Sequence, residues 1–195
     1  MKENLDFKLG NSNPSGIGAV IYGIRKSDIV NWPTIVNDQD AEGNAAKGLD
    51  AFGKYDGSFT LKEGAKFISI YNTQGEGSAT GESVGDTDNK MFTNHLNYRF
   101  PANTPNALGF AKVVNNDDCV FIAKSAGQFH VVGSPDYRCT ASVSAATGDQ
   151  PGSKKGITVT ADCPDESLLP IYEGKIVLAD GELDCKTGKL TPKGE

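Results

Sequence analysis

Long apolar runs are missing from this chain. No stretch approaches the roughly 20 apolar residues of a membrane-crossing helix. The start, Met1-Lys2-Glu3-Asn4, lacks the apolar core of a secretory signal. Synthesis in a cytoplasm, with no membrane contact, is therefore expected. Histidine is scarce, with His95 and His130 the two present. Each stands in a strand-like run, so a base beside a nucleophile has little to build on, and no serine is expected to sit on a nucleophile elbow. Two histidines so placed do not make a zinc site either. The four cysteines, Cys119, Cys139, Cys163 and Cys185, contain no C-x-x-C pair. That argues against a zinc ribbon or a dithiol redox motif, and free buried thiols are the expectation. Positive charge is in deficit. Lys plus Arg number 19 against 25 Asp plus Glu, for a net charge of −6. A surface that grips phosphate needs clustered Lys and Arg.

Glycine-rich and acidic stretches fall short of known chemistry. Gly148–Lys154 has the wrong spacing for a phosphate loop and no helix after it. Asp38, Asp40 and Glu42, followed by Gly43, match the first half of a calcium loop, but Leu49 stands where a bidentate Glu is required. A solvated acidic loop is the reading of residues 38–43. No enzyme activity, metal or cofactor is expected.

What the chain has is turns and short alternating runs, with 23 Gly and 9 Pro. Val120–Lys124 and Phe129–Gly133 flank Ser125-Ala126-Gly127-Gln128, the format of a tight hairpin. Thr140–Ala146 and Ile157–Cys163 alternate in step around a polar loop, Thr147–Gly156. Gly16–Ile24 is nearly continuously apolar, which suggests a strand buried on both faces. In Lys90–Phe100, residues Phe92, Leu96, Tyr98 and Phe100 share one side, interrupted by Asn94. Thr104-Pro105 opens the one convincing helix, 104–115, with Leu108, Ala111 and Val114 on its stripe. Gly174–Leu178 and Glu182–Cys185 close a final hairpin, followed by a polar tail, 186–195. Residues 25–57 show little period yet carry Ile29, Trp32, Ile35, Phe52 and Tyr55. Such anchors suggest an arm buried against something, another subunit being the expected partner. The fold class expected is mainly β: one domain, 1–195, an antiparallel β-barrel or sandwich with one flanking α-helix and a long inter-subunit arm.

The segments GIGAVIYGIRKSDIVNWPTI (16–35), KFISIYNTQGEG (66–77), FHVVGSPDYRC (129–139) and GSKKGITVTADCPDESLLPIYEG (152–174) resemble the tail tube proteins of tailed bacteriophages, in the form found in phages of Bacteroidetes-type bacteria. The resemblance implies a structural virion protein. Its copies, hexameric in related tubes and in type VI secretion tubes, would form rings that stack into a hollow conduit for DNA. It also implies assembly in the bacterial host cytoplasm and a final place in the virion tail. The partners implied are further copies of itself, with sheath, tape-measure and tail-terminator proteins, while DNA passes without specific binding. A weakly acidic lumen suits that passage, and Glu76, Glu82 and Asp86 are the candidate lumen residues. Two other readings share the β-rich, non-enzymatic profile. One is a head-decoration or neck protein. The other is a carbohydrate-binding sandwich, which would need an aromatic platform that one Trp and six scattered Tyr do not provide.

Overall fold

Cys119–Ala123 reads as five consecutive buried residues. Strand side chains alternate between faces, so a run of this kind needs a core above and below it, and the chain builds both. The computed structural model describes residues 5, 10, 12–35 and 48–193.

In chain order the elements begin with β1 (Val20–Arg25), a 3-10 turn (Lys26–Asp28), β2 (Ile29–Asn31), β3 (Thr34–Ile35) and α1 (Leu49–Phe52). Then come β4 (Lys54–Asp56), β5 (Thr60–Leu61), β6 (Ile68–Tyr71), β7 (Ser78–Val84) and β8 (Met91–Phe100). The helix α2 (Pro105–Asn116) precedes β9 (Cys119–Ser125), β10 (Gln128–Val132), β11 (Thr140–Ala146) and β12 (Gly156–Asp165). The last four are β13 (Ile171–Tyr172), β14 (Lys175–Val177), β15 (Gly181–Asp184) and β16 (Lys189–Pro192).

A seven-stranded sheet, ordered β3-β4-β13-β10-β9-β1-β6, forms the middle layer. Cys119, Phe121 and Ala123 point from it into one core, shared with Leu96, Tyr98, Ile157 and Val159 of a four-stranded sheet ordered β11-β12-β8-β7. Val120 and Ile122 point the other way, into a second core with Ile176, Leu178 and Leu183 of the β14-β15-β16 meander. The continuous apolar character of β1 and β9 is thus the signature of a middle layer. Among the described residues no sheet closes on itself, so the sandwich expectation holds and the barrel does not.

The turns explain the connections. Ala126 and Gly127 both have positive φ, 49° and 88°, the pair of left-handed residues that a two-residue hairpin turn demands. Thr104 Oγ1 accepts from the Ala107 amide at 3.3 Å, and Pro105 fills the first helical position of α2. Ala107, Ala111 and Val114 are buried under that helix. Leu108 is not: it is 46% exposed, because one residue from Ala107 is a rotation of about 100° away from the packed stripe.

In the polar tail at 186–195, β16 pairs with β15. Two further expectations need correction. There are two α-helices among the described residues, not one. The arm, where described, is built into the body. Ile29 and Tyr55 lie in the second core, and Trp32 and Ile35 pack against it. Trp32 meets Phe59 edge-on at 5.1 Å between centroids. Phe52 is half-buried on α1. β3 and β4 extend the middle sheet, with Ile35 opposite Tyr55. The aromatic anchors find their burial within the same chain, where Phe59, Phe67 and Tyr172 are close at hand. The acidic run 38–43 lies outside the described residues.

Candidate self-association surface

The four-stranded sheet has one covered face and one bare one. Its inward residues alternate with Ser78, Thr80 and Glu82 on β7, Thr93, His95, Asn97 and Arg99 on β8, and Thr158, Thr160 and Asp162 on β12. Thr140, Ser142 and Ser144 continue the row on β11. The face is therefore dominated by short hydroxyl and amide side chains. Asn97 donates to Thr160 Oγ1 at 3.2 Å across the β8–β12 pair. A face of this kind hydrogen-bonds water readily and carries little fixed charge.

The carboxylates of the face flank His95, while Arg99 bonds a neutral carbonyl. His95 Nδ1 lies 2.6 Å from Asp162 Oδ1, and its Nε2 lies 3.5 Å from Glu82 Oε1. Arg99 donates to the Lys155 carbonyl at 2.7 Å, at the loop end of the sheet. Lys154 pairs with Glu76 at 2.6 Å, and its hydrogen bond holds the Glu76 carboxyl below the usual carboxylate range. Of the three carboxylates expected on a lumen surface, Glu82 lies on this face. Glu76 sits before β7 in a turn closed by its own amide donating to Thr73. Asp86 is exposed in the β7–β8 turn. The three mark one strand and its two ends rather than a single cluster. Among the described residues no group of three His, Cys, Asp or Glu could hold a metal ion.

One serine does stand in a G-x-S-x-G frame, Ser83 within Gly81-Glu82-Ser83-Val84-Gly85. The nucleophile elbow that this frame can form is a strand-to-helix turn. Here Ser83 lies in β7, paired with Phe92 of β8, and the chain turns back into that strand with no helix between. The frame is thus a hairpin end, where Gly85 takes a φ of 93°.

The sheet's two border strands, β7 and β11, have no outer partner among the described residues. β11 is fastened on its inner side by a disulfide, Cys139–Cys163, with the Cα atoms 4.3 Å apart. This corrects the expectation of four free thiols. Register brings the pair together: Thr140 faces Asp162, and the next step places one cysteine opposite the other. Cys119 and Cys185 are free and buried, and burial pushes their thiols up to about 11 and about 12.

At the far end of β12, Asp165 is 4% exposed. Desolvation raises its carboxyl to about 6, against the opposing pull of the Ser167 and Glu166 amides. Asn94, the polar break in the inward row of β8, explains the site. It donates to the Ser167 carbonyl at 2.9 Å and to Asp165 at 3.4 Å, and accepts from the Leu169 amide at 2.9 Å. It holds the loop before β13 against the sheet.

Sequence reasoning found the inward row of β8 but missed the hydroxyl face as a whole. Its signal was present in TASVSAA (140–146) and ITVTAD (157–162), where Ser or Thr alternates with apolar residues. Among the described residues no helix is long and apolar enough to cross a membrane. Comparison of the chain with protein-family models, curated proteins and solved structures found no match.

Proposed function

We propose that the chain is a ring-forming tube subunit, of the kind that stacks into the tail tube of a bacteriophage and lets DNA pass through. One observation carries the reading: a four-stranded antiparallel sheet with a bare hydroxyl face and two borders unpaired among the described residues. In order across the sheet, the strands β11, β12, β8 and β7 alternate in direction, so β11 and β7 run oppositely. Rotation about a ring axis preserves each strand's direction relative to that axis. β7 of one copy therefore meets β11 of the next as an antiparallel neighbour, and one sheet continues around the ring. Pairing of this kind removes both borders, which are otherwise aggregation-prone.

Six copies would give a wall of 24 strands. With strands about 4.8 Å apart and tilted by about 40°, the backbone diameter is about 48 Å. Side chains narrow that, and a duplex still fits. The bare face then lines the channel. Hydroxyls and amides dominate that face, and among its described outward residues Arg99, at the loop end, is the one permanent cation, so phosphate finds no cationic cluster to settle on, which suits transit. The inter-subunit role first expected of Ile29, Trp32, Ile35, Phe52 and Tyr55 is not part of this proposal, because Ile29, Trp32, Ile35 and Tyr55 pack in or against the second core of the same chain. The borders carry it instead.

Electron microscopy of the purified chain at high concentration tests the reading. Hollow stacked rings are expected. A population of monomers or trimers alone would overturn it and favour a decoration or neck role.

A further inference from the structure

The border of β6, unlike those of β7 and β11, faces a groove. β6 ends the middle sheet, and α2 runs beside it. Between them lies a slot of about 370 Å3, floored by Tyr98, Ile157 and Val159 and walled by Ile68, Tyr71 and Phe110. The slot is open: Ile68 is 47% and Tyr71 50% exposed. A strand border with no outer partner among the described residues and an apolar floor beneath it together describe a place for one more strand.

We propose that this slot receives the run Leu5-Asp6-Phe7-Lys8-Leu9 of a second copy, added to β6 as a strand. The run's pattern fits. In an extended segment residues 5, 7 and 9 point one way and Asp6 and Lys8 the other, so three large apolar side chains meet the floor while both charges face water. Leu5 is 97% exposed in the isolated chain. That exposure points to a second copy, since among the described residues of one chain neither Leu5 nor the slot finds cover. Gly18 donates to the Lys124 carbonyl at 2.7 Å, the Gly16 carbonyl accepts from Ser125 Oγ at 2.7 Å, and Asn72 holds the Gly18 carbonyl at 3.2 Å. These bonds fix residues 16–18 beside the ends of β9 and β6. The eleven residues before Ser12 reach about 35 Å when extended, enough to span to a neighbour. Strand addition of this form takes its affinity from main-chain bonds and its specificity from alternate side-chain pockets. The inference rests on the self-assembly reading above and names one contact within it.

Hydrogen exchange read by mass spectrometry on the full chain, at dilute and at assembling concentrations, tests the proposal. Amides of Ile68–Tyr71 are expected to slow by about tenfold or more on assembly, and Phe7→Asp is expected to abolish that slowing. Protection of β6 already complete in dilute monomer would mean that the occupant is the same chain, and would overturn the proposal. Protection on assembly that survives Phe7→Asp would mean another occupant, and would overturn it equally. If the chain stays monomeric at every concentration, the ring reading fails on its own. A synthetic peptide of residues 1–11 added to the full chain then decides the slot: saturable protection of Ile68–Tyr71 supports it, and none overturns it.

Discussion

Asp165 shows how one buried carboxyl ties stability to pH. Its folded value of about 6 stands above the ordinary unfolded value near 4. The folded state therefore keeps a proton that the unfolded state gives up first. Stability from this group is fully present below about pH 4 and is lost as pH rises through about 6. The loss amounts to about 2–3 kcal/mol. Urea unfolding of the native chain and of Asp165→Asn, at pH 4.5 and at pH 7, should show the native chain losing stability relative to the variant as pH rises. Parallel behaviour of the two would refute the assignment. Asn94 is a second sensitive position. Removing its side chain in Asn94→Ala leaves Asp165, the Ser167 carbonyl and the Leu169 amide short of partners, and a loss of about 2–4 kcal/mol is expected in the same assay.

Among the elements, β11 depends on its staple. The disulfide closes a separation of 24 residues, and a loop of that size stabilises by about 3 kcal/mol in the chain-entropy picture. Reductant should lower the unfolding midpoint accordingly. Alkylation of unreduced, unfolded protein should label Cys119 and Cys185 and spare Cys139 and Cys163; labelling of all four would contradict the pairing. The former arm makes a matching prediction. Phe59 touches Trp32, Tyr55, Phe67 and Tyr172, so Phe59→Ala should cost about 3–5 kcal/mol. Trp32 emission should not change with protein concentration, because its contacts lie within one chain. Much of this scale was readable beforehand: the Ala126-Gly127 turn, the Thr104 cap and the inward row of β8 follow from local chemistry. The fate of residues 25–35 and 48–57 was not, since the Phe59 that receives Trp32 lies on a separate segment that no periodicity links to it.

For the whole molecule the expectation concerns passage of DNA. If the hydroxyl face lines a channel, it should tolerate nucleic acid without holding it. Asn97→Lys with Thr160→Lys would add two cations at the centre of that face, where Asn97 now bonds Thr160. Assembled variant tubes should then retain DNA in co-sedimentation at low salt and release it as salt rises, while native tubes retain none. Equal retention by both would place the face elsewhere than in the channel.

Local pattern sufficed for the strand content, the hairpins, the helix start and the doubly buried runs of β1 and β9, because those rest on neighbours within a few residues. Three things were decided only when distant strands met. The Cys139–Cys163 bond needed the register of β11 on β12. The burial of the aromatic limb needed a second core assembled from residues 24 to 185. The bare polar face and its two borders, unpaired among the described residues, needed the order β11-β12-β8-β7. The physical reason is common to all three: alternation states that a strand has two unlike sides, while only packing determines which side is covered and by what.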